Sequence, residues 1–209
     1  MHDIQLCHDE ILEERQKKLL SLISKFNSQF GLVGGTAIAL HLGHRRSIDF
    51  DLFTKNDFDT DKIRGIIRQT HIIQEVIVNN PNELTIIIDN VKVTFYKYPF
   101  NISFSLSFSN IINIPNLLTL GAMKAFALGK RAKWKDYVDL YFIFRTLSLK
   151  DIAKKANELF LGEFNEKLFR EQLSFFKDID HTEKIIYIRG FEVSDIEIEK
   201  SLIDISLQK

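Results

Sequence analysis

Cysteine, proline and long apolar runs are what this 209-residue chain has least of. The single cysteine, Cys7, excludes an internal disulfide and fits a reducing compartment. No stretch approaches the ~20 apolar residues of a membrane span. The N-terminus, MHDIQLCHDEILEERQKK, is charged rather than apolar and so is unlike a signal peptide. Net charge is also missing: 28 Lys and Arg balance 28 Asp and Glu, so no global field draws nucleic acid or an anionic membrane. Any such partner must be met by a local patch. There is no internal repeat and no low-complexity segment. What is present is 45% hydrophobic residues, including 18 Phe. A chain this long buries roughly 70% of its unfolded surface, so a substantial core is expected. These features together read as a cytoplasmic globular protein.

Periodicity divides the chain. Residues 9–27 carry Ile11, Leu12, Leu19, Leu20, Leu22 and Ile23 among charges, an amphipathic helix pattern. GLVGG reads as a short strand ending in glycines, and TAIALHL as a helix of about two turns. SIDFDLF alternates, with Ile48, Phe50 and Leu52 on one face and Ser47, Asp49, Asp51 and Phe53 on the other. Residues 57–70 look helical. QEVIVNN, ELTIIID and VKVTFYKY are strand-like, with Asp89-Asn90 as a hairpin turn between the last two. LLTLGAMKAFALGK and KWKDYVDLYFIFRTL then read as helices. Ser148 and Asp151 mark the start of another, and helices over 165–176 and 194–207 finish the chain. Strands thus end near residue 100. The expected architecture is α/β: a small mixed sheet flanked by helices over residues 1–105, then a helical subdomain over 106–209, with a cleft between them.

The chemistry concentrates in FGLVGGTAIALHLGHRRSIDFDLF. Asp49 and Asp51 project from one side of a strand, their Cα atoms about 6.5–7 Å apart. Two carboxylates so placed repel each other unless a cation sits between them. Taken alone, such a pair is more often a solvated strand face. Upstream, however, Gly34 and Gly35 let the backbone turn its N–H groups toward a phosphate, and Thr36 opens a helix whose N-terminus attracts anions. A phosphate cradle followed by metal-binding carboxylates suits a metal–nucleotide substrate, with Mg²⁺ (or Mn²⁺) held by the carboxylates and the phosphates.

This stretch resembles the signature of the AbiEii/AbiGii-type nucleotidyltransferase toxins, in the DNA polymerase beta-like nucleotidyltransferase superfamily. The matching positions are Gly34, Gly35, His44, Arg45, Ser47, Asp49, Asp51 and Phe53. A second element of that family, a lysine helix followed by an arginine and a Lys-Asp-x-x-Asp-Leu-Tyr helix, is matched by Lys124, Arg131, Lys135, Asp136 and Asp139. The resemblance spans residues 30–144. It implies a nucleotidyltransferase-type sheet and transfer of a nucleotide from an NTP to a hydroxyl of tRNA or protein. It also implies a toxin of a toxin–antitoxin or abortive-infection system, with a cognate antitoxin as a further partner and no membrane.

Under that resemblance Asp49 and Asp51 are metal ligands. Gly34, Gly35, Thr36, Arg45 and Ser47 contact nucleotide, Lys124 and Arg131 neutralise phosphate charge, and Asp136 or Asp139 acts in catalysis. Arg45 faces a phosphate or pairs with Asp49 or Asp51. His44 reads as a packing residue. Lys124, amid Met123, Ala125 and Phe126, needs an anionic partner, either a triphosphate or the aspartate pair. Asp136 either caps its helix or takes a proton from the acceptor hydroxyl. Lys130, Arg131, Lys133 and Lys135 form either a solvated loop or an anion-facing patch, with Trp134 as a stacking surface. Asp178 and Asp180 form a second Asp-x-Asp, read as loop.

In the superfamily a third acid stands on a neighbouring strand. The matching position here is Thr94, a neutral hydroxyl, which suggests one firmly held metal rather than two. The competing reading is a non-catalytic nucleotide-binding or interaction module on a decayed transferase fold. A metal-dependent sugar transferase is disfavoured by the glycine pair and the lysine helix.

Overall fold

The computed structural model describes residues 8–131 and 133–208; Cys7 lies outside them. The chain divides into two units, one of residues Met1–His41 and Ser47–Asn116, the other of Leu42–Arg46 and Leu117–Lys209.

The first unit is built on a seven-stranded mixed sheet. Its elements are α1 (Glu14–Ser24), β1 (Gly31–Val33), α2 (Gly34–Leu42, whose last residue belongs to the second unit), β2 (Phe50–Thr54) and α3 (Thr60–Arg68). There follow β3 (Ile73–Asn80), β4 (Glu83–Ile88), β5 (Val91–Lys97), β6 (Leu106–Phe108) and β7 (Ile112–Ile114). The strand order is β3-β4-β5-β2-β1-β7-β6. β2 runs parallel to β5 and antiparallel to β1. One sheet face is core: Phe50, Leu52, Val93 and Phe95 are all buried, and Phe26 sets its ring edge-on to Phe95 at 4.9 Å. Residues of opposite parity are only half-buried along β2 and β5, so this face offers side chains to solvent.

Local chemistry explains several boundaries. Asp89 and Asn90 both have positive φ (49° and 58°), as a tight hairpin between antiparallel strands requires. The Asp59 side chain accepts from the N–H groups of Asp61 and Lys62, which starts α3 two or three residues later than its hydrophobic pattern. Two differences from the sequence expectation stand out. Ile48 is 44% exposed because the strand begins only at Phe50. And the sheet does not stop near residue 100: β6 and β7 extend it at the β1 edge, each too short at three residues to register as a period-2 pattern.

The second unit is helical: α4 (Leu117–Leu128), α5 (Trp134–Phe144), α6 (Leu149–Phe160), α7 (Glu166–Leu173) and α8 (Asp195–Ser206). α4 and α5 are apolar around most of their circumference and nearly all their residues are buried, as central helices must be. Phe126 of α4 stacks on Phe160 of α6 with centroids 4.0 Å apart. Ser148 caps α6, its Oγ accepting from the Asp151 N–H at 3.1 Å, as its sequence position suggests. Among the described residues, no helix is long and apolar enough to cross a membrane.

Candidate active site

Two constellations hold the candidate residues, one in each unit. In the first, β1 runs directly into α2 through Gly34, whose φ of +72° suits glycine alone. A second reason for glycine is contact: a Cβ there would lie 2.3 Å from Oδ2 of Asp51. The Asp51 carboxylate is thus seated against the first residue of a helix, where unpaired N–H groups and the helix dipole favour negative charge. Thr36 does not open α2 but sits within it, 2% exposed. Its hydroxyl donates to the Asp49 carbonyl and lies 2.9 Å from the Ser47 hydroxyl. Thr36 and Ser47 therefore fix the backbone that carries the first carboxylate.

Register then assembles the face. Asp51 pairs with Thr94 of β5, and Thr94 with Thr85 of β4, so one row across the sheet reads Thr85, Thr94, Asp51, Val33. The Thr85 hydroxyl donates to Glu83 at 2.7 Å and lies 3.4 Å from that of Thr94. Glu83 belongs to the same face, opposite Tyr96, a placement the sequence alone does not give. Lys92, two residues before Thr94, brings its Nζ to 2.8 Å from Oδ2 of Asp49. Sequence reasoning missed this cation, although the parallel register that sets Thr94 beside Asp51 carries Lys92 toward Asp49.

The donor chemistry tests the expected metal. Asp51 on the half-open face of β2 and Asp49, which stands one residue before the strand rather than on it, fit a Mg²⁺ that arrives with phosphate oxygens. Among the described residues no three His, Cys, Asp or Glu side chains converge. The third strand position is a hydroxyl, and the Lys92 ammonium stands at Asp49. The set fits one ion and not two.

The second constellation is closed. Asp139 of α5 receives Arg45 in a bidentate pair, Nε at 2.7 Å and a terminal nitrogen at 2.8 Å. It also takes His44 Nε2 at 2.9 Å and Lys124 Nζ at 3.0 Å. Lys124 reaches Asp136 at 2.7 Å, and Arg131 closes on the other Asp136 oxygen at 2.9 Å. His44, Asp136 and Asp139 are fully buried, Arg45 and Lys124 almost so, while the Arg131 side chain is 50% exposed. Burial alone would raise both aspartate pKa values. The cations outweigh it: Arg45 and Lys124 hold Asp139 well below the usual carboxylate range, and Lys124 and Arg131 depress Asp136. Burial likewise opposes the charge on Lys124 and Arg45, yet the aspartates keep both pKa values raised. For His44 burial wins and lowers its pKa; its Nδ1 has no hydrogen-bond partner, so Nε2 carries the proton donated to Asp139.

Arg45 thus pairs with neither Asp49 nor Asp51, and the partner of Lys124 is an aspartate pair, though that of α5. Trp134 is no stacking platform: it is 4% exposed, stacks on His181 and Tyr137, and donates its indole N–H to Asp195 at 3.1 Å. Lys133 and Lys135 pair with Glu183. Asp180 accepts from the N–H and hydroxyl of Thr182, a loop role as expected.

Comparison with known proteins adds the following. Residues 18–99 match the family model of the nucleotidyl transferase AbiEii toxin, type IV TA system. An uncharacterized protein of Aquifex aeolicus is 27% identical over 175 residues, 80% of this chain and 84% of that one. JHP933 from Helicobacter pylori superposes with a TM-score of 0.62 at 15% identity, covering 93% of this chain and 91% of its own. MenT4, a nucleotidyltransferase toxin from Mycobacterium tuberculosis, gives 0.54 at 12% identity, covering 92% and 80%. Motif and fold agree: over residues 18–99 the chain carries the AbiEii nucleotidyltransferase signature, on a nucleotidyltransferase fold.

Proposed function

We propose that this nucleotidyltransferase uses a divalent cation to move a nucleotide from an NTP to an acceptor hydroxyl, on tRNA or on a protein. We propose further that it is the toxin of a toxin–antitoxin or phage-defence pair. The observation that carries the reading is the seat of Asp51 against Gly34, which joins a carboxylate face to a helix N-terminus. Asp49 and Asp51 would hold one Mg²⁺ on the nucleotide, and the N–H groups of the first turn of α2 would take a phosphate. When bound, the ion supplies charge neutralisation at the phosphates. The acceptor oxygen forms a bond to the α-phosphorus and the bond to the β-phosphate bridging oxygen breaks. Pyrophosphate leaves with that electron pair and the hydroxyl proton goes to solvent.

Lys124 and Arg131 would serve as cations that neutralise phosphate charge. Asp136 and Asp139 enter as the anchors that orient Lys124, Arg131 and Arg45. A carboxylate held by two cations, with its pKa depressed, is a poor proton acceptor near neutral pH. Lys92 and Thr94, standing where a third acid would, favour slow turnover, and at the extreme nucleotide binding without transfer.

The test is incubation with each labelled NTP, Mg²⁺, and total RNA or protein. Label should pass to one acceptor class, and Asp49→Ala and Asp51→Ala should each abolish transfer while leaving the fold intact. Transfer retained in both would overturn the metal assignment. Thr94→Asp should tighten Mg²⁺ binding in the presence of NTP. A thermal shift reads this, since a ligand at 100 times its Kd adds about 2.7 kcal/mol.

A further inference from the structure

The carboxylate face continues past Asp51 into aromatic rings. On β2 the next residue of that face is Phe53, and on β5 the residue after Thr94 is Tyr96, its register partner. Phe53 lies 5.2 Å from Tyr96 and 5.1 Å from Tyr98 between ring centroids, and Tyr98 lies 5.4 Å from Phe100. These four rings are half-buried, whereas Phe50 and Phe95, on the opposite face of the same strands, are buried completely.

Beside the rings lies a cavity of about 320 Å³, entirely within the first unit. Phe53, Tyr98, Phe100 and Phe104 line it. Phe104 lies directly over Gly31, the β1 partner of Phe53; a Cβ on Gly31 would meet that ring at 2.0 Å, so the glycine makes room for this wall. Among its other lining residues are Asn56 and Asn101. No carboxylate lines it, and Lys55 is its one charged residue.

Aromatic walls with neutral amides match a flat heterocycle that carries donors and acceptors on its edge, rather than an ion or an aliphatic chain. The volume is at the lower end for small-ligand pockets and suits one nucleoside. The site begins two residues along the strand, about 7 Å, from the Asp51 position, which is of the order of the span from a nucleotide's 5′-phosphate to its base.

We propose that this cavity binds a nucleobase by stacking on Tyr98 and Phe53, with the amides reading its edge. The proposal rests on the nucleotide reading of Asp49 and Asp51. The base belongs to a nucleotide whose phosphate lies at those carboxylates, either the NTP or the residue of an RNA acceptor.

Saturation-transfer NMR with adenosine, guanosine, cytidine and uridine tests the site without phosphate or metal. At least one nucleoside should receive saturation on its base protons. Tyr98→Leu, which keeps bulk but removes the π-face, should weaken it about fivefold or more, and Tyr98→Phe should restore it. Absence of binding by all four, or equal binding by Tyr98→Leu in a protein with an unchanged melting profile, would overturn the proposal. Asp51→Asn should leave nucleoside binding intact, so a failed metal assignment is distinguishable from a failed base site. In transfer assays Tyr98→Leu should raise the KM for NTP if the donor's base stacks there, and the KM for RNA if the acceptor's does. Both KM values unchanged in an active enzyme would also overturn it.

Discussion

Two pairs of aspartates bracket the chemistry of this chain, and their surroundings differ in every respect. Asp51 sits on the half-open face of β2 and Asp49 one residue before that strand, with Lys92 beside Asp49. Asp136 and Asp139 sit three apart on a buried helix and share Arg45, Lys124, Arg131 and the neutral His44. Three cations against two carboxylates leave the buried network with charge +1, fully compensated on the anionic side. The ion pair at Asp49 is instead partly open to solvent, with side chains 19% and 39% exposed. The difference separates two uses of a carboxylate. One pair is partly open to solvent, and the other holds buried cations in place.

The largest expected effect exploits this contrast. Asp139→Asn would leave Arg45 and Lys124 buried without their shared anion, and removing one partner of a buried ion network costs about 3–5 kcal/mol. Urea denaturation should read that loss, whereas Asp49→Asn and Asp51→Asn should each stay within about 1 kcal/mol of the parent. A loss under 1 kcal/mol for Asp139→Asn would erase the distinction between the two pairs.

Acid should separate them next. Asp136 and Asp139 have depressed pKa values in the fold, so the stability they confer is complete above the ordinary aspartate value of about 3.9. It is lost as pH falls from there through their lowered values. His44 acts earlier: its folded pKa lies below the ordinary value of about 6.5, so the unfolded chain takes up the proton first. Stability therefore starts to fall below about pH 6.5. His44→Gln keeps a donor for Asp139 but does not titrate, and should flatten the stability curve below about pH 6.5. A residual slope is expected from His41, buried at the Pro115 carbonyl and shifted the same way. An unchanged slope in His44→Gln would mean that this imidazole gains its proton without disturbing the network.

How much of this was legible in the sequence follows from the range of each interaction. Local rules reach far: the Asp89-Asn90 turn, the Ser148 cap and the alternation of VKVTFYK are set by residues within a few positions of each other. The parallel register that sets Thr94 beside Asp51 also agrees with a motif-level reading of that strand. The pairing of Arg45 with Asp139 spans 94 residues, and nothing local to either residue names the other. Trp134 shows the opposite failure: its basic neighbours suggest exposure, but His181 and Asp195, far along the chain, close over it. Lys92 was within reach, since it shares a strand face with Thr94, but a lysine at a strand position reads as solvated until its partner strand is fixed.

Lys92 provides the finest test of the comparison. Its side chain is 39% exposed and that of Asp49 is 19% exposed, so the pair is screened by solvent and is worth about 0.2–1 kcal/mol. That is small for stability but sits where a divalent ion would bind. An arriving cation must share or displace the ammonium at Asp49, which lowers the affinity of the empty face for metal alone. Lys92→Met should therefore bind Mn²⁺ more tightly without nucleotide, by up to about fivefold if the whole pair energy is recovered. Lys92→Arg should keep the parent affinity, because it keeps the charge. Electron paramagnetic resonance of free Mn²⁺ measures both directly, independent of any transfer activity. High salt should shrink the difference, since a half-exposed pair is screened by mobile ions. If Lys92→Met and the parent bind Mn²⁺ equally, the ammonium does not guard the carboxylates. The ion pair at Asp49 would then have no bearing on metal affinity, and the contrast between the two aspartate pairs would rest on burial.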